Sequence, residues 1–131
     1  MASVLIIDDD ESFRMTLARM LIASGHAATT ASDGLEGAKL FRANPADLVL
    51  VDMVMPHSGL MTIRVLRSQY PSLRVIAMSG GGSHRLDYAR DLGAFRTLAK
   101  PFTPEQLAAA IADTLAAAPA PQCARDASNK S

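Results

Sequence analysis

The chain carries no tryptophan, a single cysteine, no excess charge of either sign and no apolar run long enough to span a bilayer. Each absence removes a class of protein. Thirteen basic residues balance thirteen acidic ones, so no global field exists to hold nucleic acid or an anionic membrane surface non-specifically. Cys123 has no intrachain partner, which excludes a disulfide framework and suits a reducing cytoplasm. The first apolar run, Val4 to Ile7, follows no basic segment and ends in acids, so neither a signal peptide nor a membrane span is expected.

What remains is the profile of an α/β core. Of 131 residues, 49% are hydrophobic and 20% charged, and the mean hydropathy is +0.13. This length suits one domain that buries roughly two-thirds of its unfolded surface, with no room expected for a second functional domain.

Short, β-branched apolar runs alternate with longer stretches of helical period, a pattern that predicts a parallel sheet covered by helices. Strands are expected at Val4 to Ile7, Ala27 to Ala31, Leu48 to Val51, Val75 to Met78 and Phe95 to Leu98. The intervening helices run from Glu11 to Ser24, with Phe13, Leu17, Met20 and Leu21 on one face, and from Leu35 to Ala43, with Leu35, Ala38 and Phe41 inward. Further helices pass through Ile63 and Leu66, span Leu86 to Leu92, and run from Pro104 to Ala117. Asp10 is the expected N-cap of the first helix and Gly25 its C-terminal stop. Residues 1–117 form the expected domain; 118–131 lack periodicity, are rich in Ala, Pro and Ser, and are expected to be disordered.

In an open parallel sheet, sites form beyond the carboxyl ends of the strands. The first strand runs into Asp8-Asp9-Asp10, the third into Asp52, the fourth into Ser79 and the fifth into Lys100. Asp8, Asp9 and Asp52 should therefore converge, and two carboxylates about 4 Å apart repel by roughly 4 kcal/mol at an effective dielectric of about 20. A hard divalent cation relieves that repulsion, and Mg²⁺ in particular binds through one or two carboxylates plus a phosphate. Lys100 supplies a compact positive charge for the phosphate, Ser79 a hydroxyl donor, and Asp52 a carboxylate nucleophile.

These motifs, LIIDDDESFR, LVLVDMVMPHSG, VIAMSG and GAFRTLAKPFT, resemble those of the receiver domains of two-component response regulators, in particular single-domain, chemotaxis-regulator-like ones, over about Ser3 to Ala117. The resemblance implies a doubly wound, five-stranded parallel sheet of flavodoxin-like order 2-1-3-4-5 with helices on both faces. It implies that Asp52 accepts the phosphoryl group, that Asp9 binds Mg²⁺ (or Mn²⁺) directly and Asp8 through water, and that Asp52 and the Val54 carbonyl complete the protein ligands. Ser79 and Lys100 would contact the phosphoryl group, and Lys100-Pro101 would be cis. The implied partners are a sensor histidine kinase or histidine phosphotransfer protein and a downstream target protein, with the chain a monomer or weak dimer. The activity would be that of a switch assisting its own phosphorylation and dephosphorylation rather than an enzyme.

Two positions depart from the family pattern. Thr97 stands where a Tyr or Phe commonly signals by swinging its ring inward, and Val54 lacks a polar group to orient a hydrolytic water. Output is expected across the fourth helix, fifth strand and last helix, near Tyr88, Thr97 and Gln106.

Other readings of the same residues are weaker. An aspartate-nucleophile phosphatase would want a second Asp at the Val54 position, and a flavin site would be repelled by three acids after the first strand. Gly80 to Gly82 lacks the spacing and lysine of a phosphate-binding loop. His26, His57 and His84 have no metal-ligand spacing and read as structural or solvated. The remaining alternative is a receiver-like protein-interaction module that works without phosphorylation, for which Thr97 is the motivating oddity.

Overall fold

In the computed structural model, which describes residues 2–53, 59–80 and 96–116, the apolar runs are five parallel strands. They are β1 (Ser3–Ile7), β2 (Ala27–Ala31), β3 (Leu48–Asp52), β4 (Arg74–Ser79) and β5 (Arg96–Ala99). Four described helices accompany them: α1 (Glu11–Ala23), α2 (Gly34–Ala43), α3 (Gly59–Gln69) and α4 (Pro104–Ala116). The sheet order is β2-β1-β3-β4-β5, and every pairing is parallel. This is the 2-1-3-4-5 order expected from the resemblance. The helix expected over Leu86 to Leu92, Tyr88 within it, and the stretch after Ala116 lie outside the described residues. Among the described residues no helix is long and apolar enough to cross a membrane.

Strand side chains alternate between two cores, as a period of two requires. Leu5, Ile7, Val49, Val51, Val75 and Ala77 point to one face, where they meet Ala38 and Phe41 of α2 and Leu66 of α3. Val4, Ile6, Leu48, Leu50, Ile76, Met78 and Leu98 point to the other, against Leu17, Ala18 and Leu21 of α1 and Leu107, Ala110 and Ile111 of α4. Burial on both faces is why β1, β3 and β4 read as unbroken apolar runs, whereas the edge strand β2 alternates with exposed positions.

Helix ends follow local chemistry. The Asp10 carboxylate accepts the Phe13 N–H at 3.2 Å and caps α1, and Gly25 beyond its other end has φ +88°, a region that favours glycine. In a reciprocal box at the start of α4, the Thr103 N–H donates to Gln106 Oε1 (2.8 Å) and the Gln106 N–H to Thr103 Oγ1 (3.0 Å). His26 is structural: its Nδ1 accepts the Ala2 N–H at 3.0 Å.

The inward face of α2 differs from the expected one. Leu35 is 69% exposed, and the buried stripe is Gly34, Gly37, Ala38 and Phe41. The cause is the close approach of α2 to β1: a Cβ on Gly37 would stand 2.4 Å from Ile7 Cδ1 and 2.8 Å from its Cγ1. Small residues must occupy the contact, so the stripe is centred on glycine and Leu35 is turned outward. Gly37→Ala should therefore lower unfolding free energy by about 1–3 kcal/mol, the usual cost of overpacking, as read by denaturant titration. Ile7→Val in the same chain removes the Cδ1 atom and should recover part of the loss; strictly additive costs would refute the clash.

Candidate phosphoacceptor and metal site

The register of the sheet assembles the site. Ile7 pairs with Val51 and Asp52 with Met78, so Asp8 follows β1 beside the end of β3, and Ser79 lies one residue beyond the partner of Asp52. Ser79 pairs with Ala99, which places Lys100 just beyond β5 at the same edge. Backbone bonds hold this rim: the Asp8 N–H donates to Ala31 O (3.1 Å), Met53 N–H to Met78 O (2.8 Å) and Lys100 N–H to Ser79 O (2.9 Å). The Lys100-Pro101 bond is cis, as the resemblance implied.

Asp8, Asp9 and Asp52 each offer an oxygen within 4.8 Å of the other two. Asp8 is fully buried, Asp52 is 4% exposed and Asp9 faces solvent. The Lys100 ammonium stands between the buried pair, 3.1 Å from Asp8 Oδ2 and 3.4 Å from Asp52 Oδ2. The other oxygen of Asp8 accepts the Asp10 N–H at 2.9 Å. Ser79 is 1% exposed. Val54, His57, Gly81, Gly82 and His84 lie outside the described residues. Thr97 is partly buried and pairs with Ala77 in the ladder.

Two contacts were not foreseen from the sequence. Arg14, one turn into α1, donates through Nη1 to the Asp8 carbonyl at 2.7 Å, and the Phe13 ring lies under the Lys100 ammonium, 4.2 Å from its centroid. Phe13 was expected only to face the core. Its position three residues after the helix-capping Asp10 is the available signal, because a first-turn residue there sits at the same sheet edge as the acids.

Burial pushes the Asp8 carboxyl above its ordinary 3.8, and the Asp52 charge pushes the same way, against the Asp10 N–H and Lys100. A raised folded pKa means that the folded chain holds this proton to higher pH than the unfolded chain does. The associated stability is therefore present in acid and lost as pH rises from about the ordinary value through the raised one. Asp8→Asn should remove that loss, so the metal-free variant should melt above the wild type at neutral pH and approach it in acid, by calorimetry. A variant melting lower at neutral pH would show that the Lys100 pairing outweighs burial.

A model of the response regulator receiver domain family matches residues 4–112. The chain belongs to this family. It is 36% identical over 108 residues to the response regulator MprA of Mycobacterium sp. (strain KMS), covering 81% of this chain and 47% of that protein. It is also 32% identical over 120 residues to the sensor kinase CckA of Brucella abortus (strain 2308), covering 87% of this chain and 12% of that protein. The chain thus spans about half the length of the mycobacterial regulators it matches. A crystal structure of a response regulator receiver domain protein from Clostridium thermocellum superposes with a TM-score of 0.82 at 33% identity, over 88% of this chain and 94% of that one. Vibrio cholerae chemotaxis protein CheY4 superposes with a TM-score of 0.82 at 29% identity, over 88% and 99%.

Proposed function

We propose that this receiver domain is a phosphorylation switch in a two-component phosphorelay that accepts a phosphoryl group on Asp52 with Mg²⁺ bound beside it. The observation that carries the reading is the convergence of three carboxylates and one ammonium at a single sheet edge. The two buried carboxylates, Asp8 and Asp52, gain nothing for the fold by facing each other. Hard oxygen donors of this number and charge suit Mg²⁺, with Mn²⁺ a substitute. Asp9 and Asp52 would hold the ion directly, Asp8 through water, and the Val54 carbonyl would add a neutral donor. When bound, the ion neutralises charge on the transferring oxygens.

The chain's own groups do the rest. An Asp52 oxygen attacks phosphorus in line, the new O–P bond forms, and the donor's P–N or P–O bond breaks with its electron pair leaving on the donor. Lys100 offers a point charge to the phosphoryl oxygens without moving far, since its ammonium already stands beside Asp52. Ser79 donates its hydroxyl to another of these oxygens. The donor is a sensor histidine kinase or histidine phosphotransfer protein in the cytoplasm. Output passes to a target protein through the expected face that includes β5 and α4, where Thr97 stands in place of the usual aromatic residue and a swinging ring cannot carry the signal.

Incubation with Mg²⁺ and acetyl phosphate should add one phosphoryl mass to the intact protein, and a chelator should suppress it. Should saturating Mg²⁺ with acetyl phosphate and with histidine kinases leave the wild type unlabelled, the phosphorylation-independent interaction module is the better reading.

A further inference from the structure

Lys100 has two carboxylates to pair with but a flexible four-carbon stem, so pairing alone does not hold its ammonium at one point. A third wall does. The Phe13 ring centroid is 4.2 Å from Lys100 Nζ, inside the distance at which a ring face attracts a cation. The residue is itself held: its backbone N–H donates to Asp10, and its ring packs against that of Phe102 with centroids 5.8 Å apart and planes at 75°, an arrangement aromatic pairs favour. Phe102 follows Lys100 by two residues, so the segment that carries the lysine also supports the ring beneath it.

We propose that Phe13 is a positioning residue: its ring face, braced by Phe102, fixes the Lys100 ammonium between Asp8 and Asp52, where an oxygen of a phosphoryl group on Asp52 would meet it. A half-buried phenylalanine at the rim of a core would otherwise be replaceable by any apolar side chain of similar bulk. The ring quadrupole is what leucine lacks and tyrosine keeps, and that difference separates positioning from packing. The proposal rests on the phosphoacceptor reading for its consequence, though the contact itself does not depend on it.

Phe13→Leu and Phe13→Tyr, compared with the wild type, test it by two readouts. The first is the proton shift of the Lys100 side-chain methylenes beside the ammonium, which a ring face moves upfield. It should be present in wild type and Phe13→Tyr and lost in Phe13→Leu. The second is the affinity for beryllofluoride with Mg²⁺, a phosphoryl mimic. It should fall about two- to five-fold in Phe13→Leu and be kept in Phe13→Tyr, while affinity for Mg²⁺ alone is not weakened in either. Absence of the upfield shift in the wild type, or equal losses of beryllofluoride affinity in both variants, overturns the proposal. A wild type that shows the shift but binds no beryllofluoride sinks the phosphoacceptor reading instead and leaves Phe13 as the ring that holds Lys100.

Discussion

Asp52→Asn should abolish labelling by acetyl phosphate and Mg²⁺ altogether, a loss limited only by the detection floor of intact-protein mass spectrometry. The amide keeps the shape and volume of the side chain at the end of β3, where Asp52 is 4% exposed, so the fold should survive. What it loses is the negative oxygen that attacks phosphorus, and a neutral amide is a poor nucleophile. The wild-type adduct should be cleaved by hydroxylamine or base, as an acyl phosphate is, whereas a phosphoserine at Ser79 would resist hydroxylamine. Equal labelling of Asp52→Asn would remove Asp52 from the chemistry and with it the proposed mechanism.

The strands were legible because burial on both faces leaves no polar residue inside β1, β3 or β4, and a run such as Leu48 to Val51 can then be little else. The acids were legible as a cluster for a topological reason: parallel strands end at one edge, so acids just after β1 and at the end of β3 and a lysine after β5 must approach each other. Strand order is different. Periodicity says which faces are apolar but not which strands are neighbours, and here the order came only from the resemblance. Leu35 was misplaced because a helical pattern of apolar residues cannot reveal that a glycine, Gly37, makes the closest approach to the sheet. Phe13 was legible as an inward residue but not as a cation's partner, since the ring meets a side chain 87 positions away (100 minus 13). Arg14 escaped notice because it contacts a backbone carbonyl, which no residue pattern marks.

Lys100→Ala should separate the two halves of the site. In the metal-free protein its ammonium stands within 3.4 Å of both buried carboxylates, so removal leaves Asp8 and Asp52 facing each other without this counter-charge. Losing a charged partner from buried acceptors in this way costs about 1–3 kcal/mol, and the Asp8 carboxyl should be pushed further above its ordinary value, so the deficit should be largest at neutral or alkaline pH and shrink in acid. Mg²⁺ supplies the missing charge to the same oxygens, and the lysine no longer competes with it. Its affinity should therefore be equal to or tighter than in the wild type, and saturating Mg²⁺ should restore much of the lost melting temperature. The phosphoryl side behaves oppositely, because Lys100 is the cation placed beside the Asp52 carboxylate, 3.4 Å from Oδ2, where it would meet those oxygens: stabilisation by beryllofluoride with Mg²⁺ should be largely lost. With no tryptophan in the chain, calorimetry suits these titrations better than intrinsic fluorescence. Weaker Mg²⁺ binding in Lys100→Ala would mean that the ammonium organises the carboxylates for the ion rather than competing with it. An unchanged beryllofluoride response would mean that Lys100 serves the resting charge balance alone.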